Sequence, residues 1–142
     1  MNLAVKNNNT ENGLGTIKNR LGFLSSDLQG FNPNRFLDLT GLKAVDAAQA
    51  LGKTRTAMYK DFIPFKPSDE LKKKIIDLVI ASDIAFLLFN KDEKETARWI
   101  VAPNTFLFGS TPFEICLRGD GTPLIKWLFD RAGQVIPDFK AE

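Results

Sequence analysis

The stretch that most constrains this chain is IIDLVIASDIAFLLF, from Ile75 to Phe89. It is preceded by Ser68, which the pattern makes a helix cap, and by Asp69 and Glu70, acidic residues suited to the positive end of a helix dipole. A long helix is therefore expected here. At roughly 100° per residue, Lys73, Lys74 and Asp77 mark a polar side in the first half, while Ile84 and Leu88 fall on that side in the second. From about Ile80 to Phe89 the helix is apolar all round, and such a helix has to be enclosed. Two enclosures satisfy the pattern: neighbours within the chain, or a second chain over part of the surface. A bilayer is not among them, because Asp77 and Asp83 interrupt a run already short of the ~20 apolar residues needed to span one.

The segments around that helix read as more helix. Asn32-Pro33 supplies a cap and first-turn pair for a brief helix through Phe36 and Leu37, ending at Gly41. Lys43 to Leu51 places Val45, Ala48 and Leu51 on one face and stops at Gly52. A second short helix is expected from Thr54 to about Lys60. Asp92 with Glu95 and Thr111 with Glu114 have capping-box spacing, and Thr122-Pro123 opens a last helix reaching Ala132 before Gly133. Nearer the start, Leu21, Leu24 and Leu28 have helical spacing within a segment from Ile17 to Leu28. The first 15 residues or so, rich in Asn, Thr and Gly, read as a mobile arm. No run of strict alternation stands out, so the expected fold is all-α with short connections. It divides into a flexible arm over 1–30, a helix-turn-helix region over 31–67, and the long helix with a small helical module over 68–142.

The residues that are missing narrow the chemistry. The chain has no histidine and Cys116 is its only cysteine. Zinc sites of the usual Cys/His kinds and nucleophilic dyads built on histidine are thereby excluded, and no metal or cofactor is expected. Cys116, between Ile115 and Leu117, reads as a small buried hydrophobe suited to a reducing cytoplasm. MNLAVKNNNTENG lacks the apolar core of a signal peptide. A formal charge of +2 names no polyanionic partner by itself. Asp120, Asp130 and Glu114 lie near Gly119 and Gly121, yet the GDG run matches no phosphate-cradling pattern, so no catalytic residue is assigned.

In AVDAAQALGKTRTAMYKD, a small Ala48, a turning Gly52 and an apolar Met58 occupy the three positions that a helix-turn-helix constrains most. A helix from Thr54 would present Thr54, Arg55, Thr56, Tyr59 and Lys60 outward. Arg55 is suited to a base edge, and Lys53 and Lys60 to phosphates. The alternative is a helical hairpin with a solvated basic face. Lys72, Lys73 and Lys74 read as a solvated helix start.

The last third contains a tight apolar corner, WIVAPNTFLFGSTPFE. Pro103 disfavours helix at Ala102 and Gly109 lets the backbone turn. Trp99, Phe106, Leu107, Phe108 and Phe113 are expected to collapse into one cluster. Trp99, Pro103-Asn104, Leu107, Gly109, Thr111-Pro112 with Glu114, Leu117, Gly119, Gly121, Leu128 and Gly133 occur in an order and approximate spacing that resembles the antitoxin Xre/MbcA/ParS toxin-binding domain. The likeness covers residues 97–133, and more loosely extends back to the helix-turn-helix. Phe113 and Ile100, and the segment 62–70, depart from the family's pattern.

The resemblance implies a type II antitoxin that performs no chemistry. It would seal the active site of a cognate RES-domain toxin, which consumes NAD or ADP-ribosylates a protein, and repress its own operon by binding operator DNA. A homodimer, or a larger complex with the toxin, is implied. On the last helix, Leu124 and Leu128 share a face with Trp127, leaving Lys126, Phe129 and Arg131 outward. Since interface energy concentrates in aromatic and Arg anchors, the expected toxin contacts are Trp127, Phe129 and Arg131, with Arg118 and Lys126 beside them. Trp99, Pro103, Asn104, Gly109 and Pro112 are expected to be structural. The tail QVIPDFKAE is placed either in the toxin pocket or as a frayed end. The alternative function is a free-standing helix-turn-helix repressor whose second half dimerises or senses a ligand.

Overall fold

The structure, a computed structural model, describes residues 17–139. It is mainly helical, in the order β1 (Gly30–Phe31), α1 (Pro33–Thr40), α2 (Ala44–Leu51), a 3₁₀ turn at Thr56–Tyr59, β2 (Ile63–Pro64), α3 (Glu70–Leu88), α4 (Glu93–Ile100), a 3₁₀ turn at Thr105–Leu107, α5 (Pro112–Leu117) and α6 (Gly121–Val135). The all-α expectation needs one correction. β1 and β2 form a small antiparallel ribbon, pairing Gly30 with Pro64 and Phe31 with Ile63. Each strand is two residues long, too short for alternation to have shown it.

α3 is the axis of the molecule. Every residue from Ile75 to Ala85 is buried, and the chain's own elements do the enclosing, chiefly α6 and α5 with α4 behind them. Of the two enclosures the sequence allowed, the intramolecular one holds as far as Ala85, and Phe86, Leu87, Leu88 and Phe89, the rest of the apolar stretch, are half-buried. Asp69, not Ser68, caps the helix, its carboxylate accepting from the Leu71 N–H. Asp77 is also not on a solvated side. It is only 4% exposed, its carboxylate is bonded by Lys73 Nζ at 2.9 Å, and α6 begins against it. A Cβ at Gly121 would lie 2.7 Å from the Asp77 Cβ, so only glycine permits this approach of α6 to α3. Gly121→Ala is expected to cost about 1–3 kcal/mol by forcing the two helices apart. Thermal unfolding checks this, and an unchanged midpoint would show that the crossing yields freely.

The expected helix from Ile17 to Leu28 does not form. Residues 1–16 lie outside the described residues, whereas 17–30 make a packed loop that is no free arm: Leu21, Phe23 and Leu24 are all at most 3% exposed. Turn chemistry prevails over leucine spacing. Asn19 bonds the Leu24 N–H and C=O through its side chain, and the Asp27 carboxylate accepts from Ser25 Oγ and the Gln29 N–H. From α3, Asp83 reaches this loop. Its Oδ2 accepts the Lys18 and Asn19 N–H groups at 2.8 and 3.0 Å, and its Oδ1 accepts that of Arg20 at 2.7 Å. Burial raises the Asp83 carboxyl to about 6, against the opposing pull of these three donors and the Arg20 charge.

The aromatic nucleus lies where these parts meet. Phe36 of α1, with no exposed surface, has Phe23, Phe31 and Phe113 around it at ring distances of 5.0, 5.7 and 5.1 Å. α1 has its expected Asn32 cap and Gly41 terminator, the glycine at φ +73°. Arg35 ties α1 to the loop through the Leu21 carbonyl at 3.0 Å and to α4 through Glu93 at 3.3 Å. The Thr111/Glu114 capping box is complete as expected, whereas the expected Asp92/Glu95 box forms only in half: Asp92 accepts the Glu95 N–H, and the Glu95 carboxylate pairs with Arg98. α6 starts with Asp120 at its cap position and runs through Gly133 to Val135, past the expected stop. Phe139 then folds back onto Phe129, with ring centroids 5.3 Å apart. The end of the tail, 140–142, lies outside the described residues.

Candidate interaction surfaces

The first surface is the basic hairpin. α2 ends at Gly52 with φ +67°, as expected, and Ala48 and Met58 are buried against each other's elements at 4% and 0% exposure. Val45 is a correction: it is 53% exposed, facing away from Ala48 and Leu51. The larger correction is the second helix. In place of an α-helix from Thr54 to Lys60 there is a four-residue 3₁₀ turn, Thr56–Tyr59. Tertiary bonds pull the chain out of helix there: the Asn34 N–H of α1 donates to the Lys60 carbonyl at 3.0 Å and the Asn34 amide donates to Asp61 at 2.9 Å. Thr54 Oγ1 accepts the Ala57 N–H at 3.2 Å and so starts the turn. Thr54, Arg55, Thr56, Tyr59 and Lys60 are exposed and Lys53 is partly so.

The second surface is the carboxyl-terminal corner. α4 ends at Ile100, three residues before Pro103, and Asn104 organises the loop beyond it. Its side chain accepts the Phe106 N–H at 2.8 Å, its carbonyl accepts the Gly109 N–H at 2.9 Å, and its own N–H donates to the Ser110 carbonyl at 3.1 Å. The loop closes in so few residues that only Leu107 turns inward. Phe106 and Phe108, on either side of it, are 82% and 99% exposed, so the expected aromatic cluster does not form. Phe113 goes instead to the Phe36 nucleus, and Trp99 packs beside Phe89 with centroids 6.2 Å apart. Phe108 sits at φ +56°, a left-handed conformation that is uncommon for a bulky residue, and Gly109 comes next at +87°.

α6 supplies the other wall. Leu124, Ile125, Leu128 and Ala132 are buried, and Trp127 is 48% exposed rather than sharing the face of Leu124 and Leu128. Between Trp127 and the loop lies a cleft of about 550 Å³ whose floor includes Trp99, Leu107, Ile115 and Leu124, with Arg118 and Asp120 at its edge. A second, of about 380 Å³, lies between Phe106, Trp127, Asp130, Arg131 and Gln134. Of the expected contacts, Arg118, Lys126, Trp127 and Arg131 are on the surface, while Phe129 is half-covered by Phe139. Pro103 and Gly109 are exposed turn residues, Trp99 and Asn104 are half-buried, and Pro112 is buried. The residues missed as surface features are Phe106 and Phe108. The signal available was their placement on either side of Leu107 within the short interval from Asn104 to Gly109.

The polar groups near this corner are occupied structurally. Glu114 accepts the Thr111 N–H at 2.8 Å, and Asp120 lies 3.5 Å from the Arg118 guanidinium. Cys116 is fully buried, its thiol pushed up to about 12 by burial and by the nearby Asp77 carboxylate. Among the described residues no group of Cys, Asp and Glu is arranged to hold a metal ion, and no helix is long and apolar enough to cross a membrane. Comparisons with protein-family models, curated proteins and solved structures return no match.

Proposed function

We propose that this chain is a type II antitoxin that closes the active site of a RES-type, NAD-consuming toxin and represses its own operon. The observation that carries the reading is the exposed aromatic face of the carboxyl-terminal corner, Phe106, Phe108 and Trp127, held on a capped, hydrogen-bonded frame with Arg118 and Arg131 beside it. Exposed apolar surface of this kind marks binding rather than stability, and aromatic and Arg side chains are the usual anchors of protein interfaces. The residue series from Trp99 to Gly133 supports the same reading. In this reading Trp127, Phe106 and Phe108 are the principal contacts, Arg118, Lys126 and Arg131 form the rim, and Phe129 supports the tail.

DNA contact is assigned to the hairpin of α2 and its adjoining turn. A 3₁₀ turn of four residues spans only about 8 Å, too little to lie along a major groove. The tip, Lys53, Thr54 and Arg55, therefore approaches the bases, with Lys60 on phosphate. Arg55→Ala with Lys60→Ala is expected to weaken operator binding, to relax its sequence preference through the loss of Arg55, and to lower its salt slope by about one through the loss of Lys60.

The decisive test is co-expression with the neighbouring toxin gene, following NAD levels and survival. Trp127→Ala with Phe108→Ala is expected to weaken the complex about 100-fold or more and to abolish rescue. Rescue at wild-type level by this variant would put the contact elsewhere. Failure of the wild-type chain to bind any co-encoded toxin would remove the function altogether.

A further inference from the structure

The rings of the carboxyl-terminal corner are not the only exposed ones. Tyr59 and Phe62, 62% and 44% exposed, stand on the segment that leads from the first 3₁₀ turn into β2. Phe62 is exposed without being loose. Its ring lies against the bare backbone of Gly30, where a Cβ would be 2.2 Å from the ring's Cε1 and 2.8 Å from the Ile63 carbonyl oxygen. The backbone around it is tied down as well: the Lys60 carbonyl and the Asp61 carboxylate both accept from Asn34, and the Phe65 N–H donates to the Gln29 carbonyl at 2.9 Å. From Phe62 onward exposure alternates as strand geometry requires, with Phe62, Pro64 and Lys66 outward and Ile63 and Phe65 packed on the core.

A ring that is fixed in place and still open to solvent adds little to stability, but it is ready to stack, because little of its freedom remains to be lost on binding. Tyr59 is three residues away, so at most about 11 Å of backbone separates the two rings, a spacing within reach of neighbouring bases on one strand. The surrounding charge fits a phosphate backbone. Between residues 53 and 66 the charged side chains are Lys53, Arg55, Lys60 and Lys66 against Asp61 alone, and the Asp61 carboxylate is engaged by the Asn34 amide. Bases in a duplex keep their faces inside the stack, so only unpaired bases can lie on such rings.

We infer that Tyr59 and Phe62, with Lys60 and Lys66 beside them, form a stacking platform for unpaired bases, and that the chain binds single-stranded DNA there. The choice of DNA over RNA rests on the operator reading, since the platform adjoins the hairpin tip assigned to DNA. It agrees with the engagement of Asp61, the one carboxylate of the segment that could accept a 2′-hydroxyl. Stacking itself requires neither an operator nor a toxin, so single-strand binding and the proposed function fail separately.

Fluorescence anisotropy of the purified full chain with a labelled oligothymidylate of about 12 nucleotides tests it, against a duplex of the same length and arbitrary sequence. The single strand is expected to bind more tightly. Tyr59→Ala with Phe62→Ala should weaken it about 30-fold and change duplex binding no more than about twofold. Phe62→Leu, apolar but without a π face, should lose about fivefold or more, whereas Tyr59→Phe should bind as the wild type does. Lys66→Ala should lower the single-strand salt slope by about 0.7. Thermal unfolding of each variant separates lost stacking from lost folding. A wild type that binds the duplex as tightly as the single strand overturns the inference, as does full single-strand affinity in folded Phe62→Leu or in the folded double variant. Equal binding of oligouridylate overturns the assignment to DNA. If single-strand binding holds while no upstream duplex is bound, the platform stands and the operator reading falls.

Discussion

Phe36→Ala is expected to lower the free energy of unfolding by about 3–5 kcal/mol, measured by urea denaturation. A typical domain has only about 5–15 kcal/mol in total, so the variant should stand near the edge of folding at ambient temperature. The size of the effect comes from position. The Phe36 ring has no exposed surface and touches rings from the amino-terminal loop, β1 and α5, so its removal leaves a hollow that no single neighbour can fill without abandoning another. Phe36→Leu, which keeps much of the volume, should lose clearly less. A loss under about 1 kcal/mol for the alanine variant would mean that the nucleus collapses freely, contrary to close packing.

Asp83→Ala is expected to cost about 3 kcal/mol, because it removes the one buried carboxylate that the N–H groups of residues 18, 19 and 20 share as acceptor. The same carboxyl makes stability depend on pH. Its folded value of about 6 lies above its usual 3.8, so the folded state holds the proton more tightly than the unfolded chain does. The stabilisation is therefore fully present below about pH 4 and is lost as pH rises through 6, up to about 3 kcal/mol over the window. The isosteric Asp83→Asn cannot titrate. The difference between wild type and this variant should drift across that window in the direction given, and a flat difference would mean that the carboxylate is as well solvated as in the open chain.

The helix caps were legible because they are local. Asn32, Gly41, Gly52, Asp92 and Thr111 act through bonds to residues at most a few positions away, and each stands as its spacing required. The enclosure of α3 was legible as a need, since a cylinder apolar on every side has few fates. Failures arose where distant groups decided the outcome. Leucines at 21, 24 and 28 have the spacing of a helix, but Asp83, more than sixty residues on, holds the backbone of 18–20 in a loop. Thr54 to Lys60 has helical composition, and Asn34 of α1 draws its end away. At the corner, apolar content argued for collapse while the closure of the Asn104 loop left inward room for Leu107 alone. Gly133 has the identity of a terminator, yet the helix proceeds to Val135, after which Phe139 returns to Phe129.

The meeting of Phe36 with Phe113 has a bearing on ancestry as well as on engineering. The rings join α1 in the front half of the fold with α5 at the carboxyl-terminal corner, and one continuous core runs from Leu21 to Ala132. Neither half carries a complete interior of its own. A gene fusion that borrowed only the front or only the rear would inherit an open wound of aromatic surface, so the two halves must drift, duplicate and be transplanted as a single heritable block.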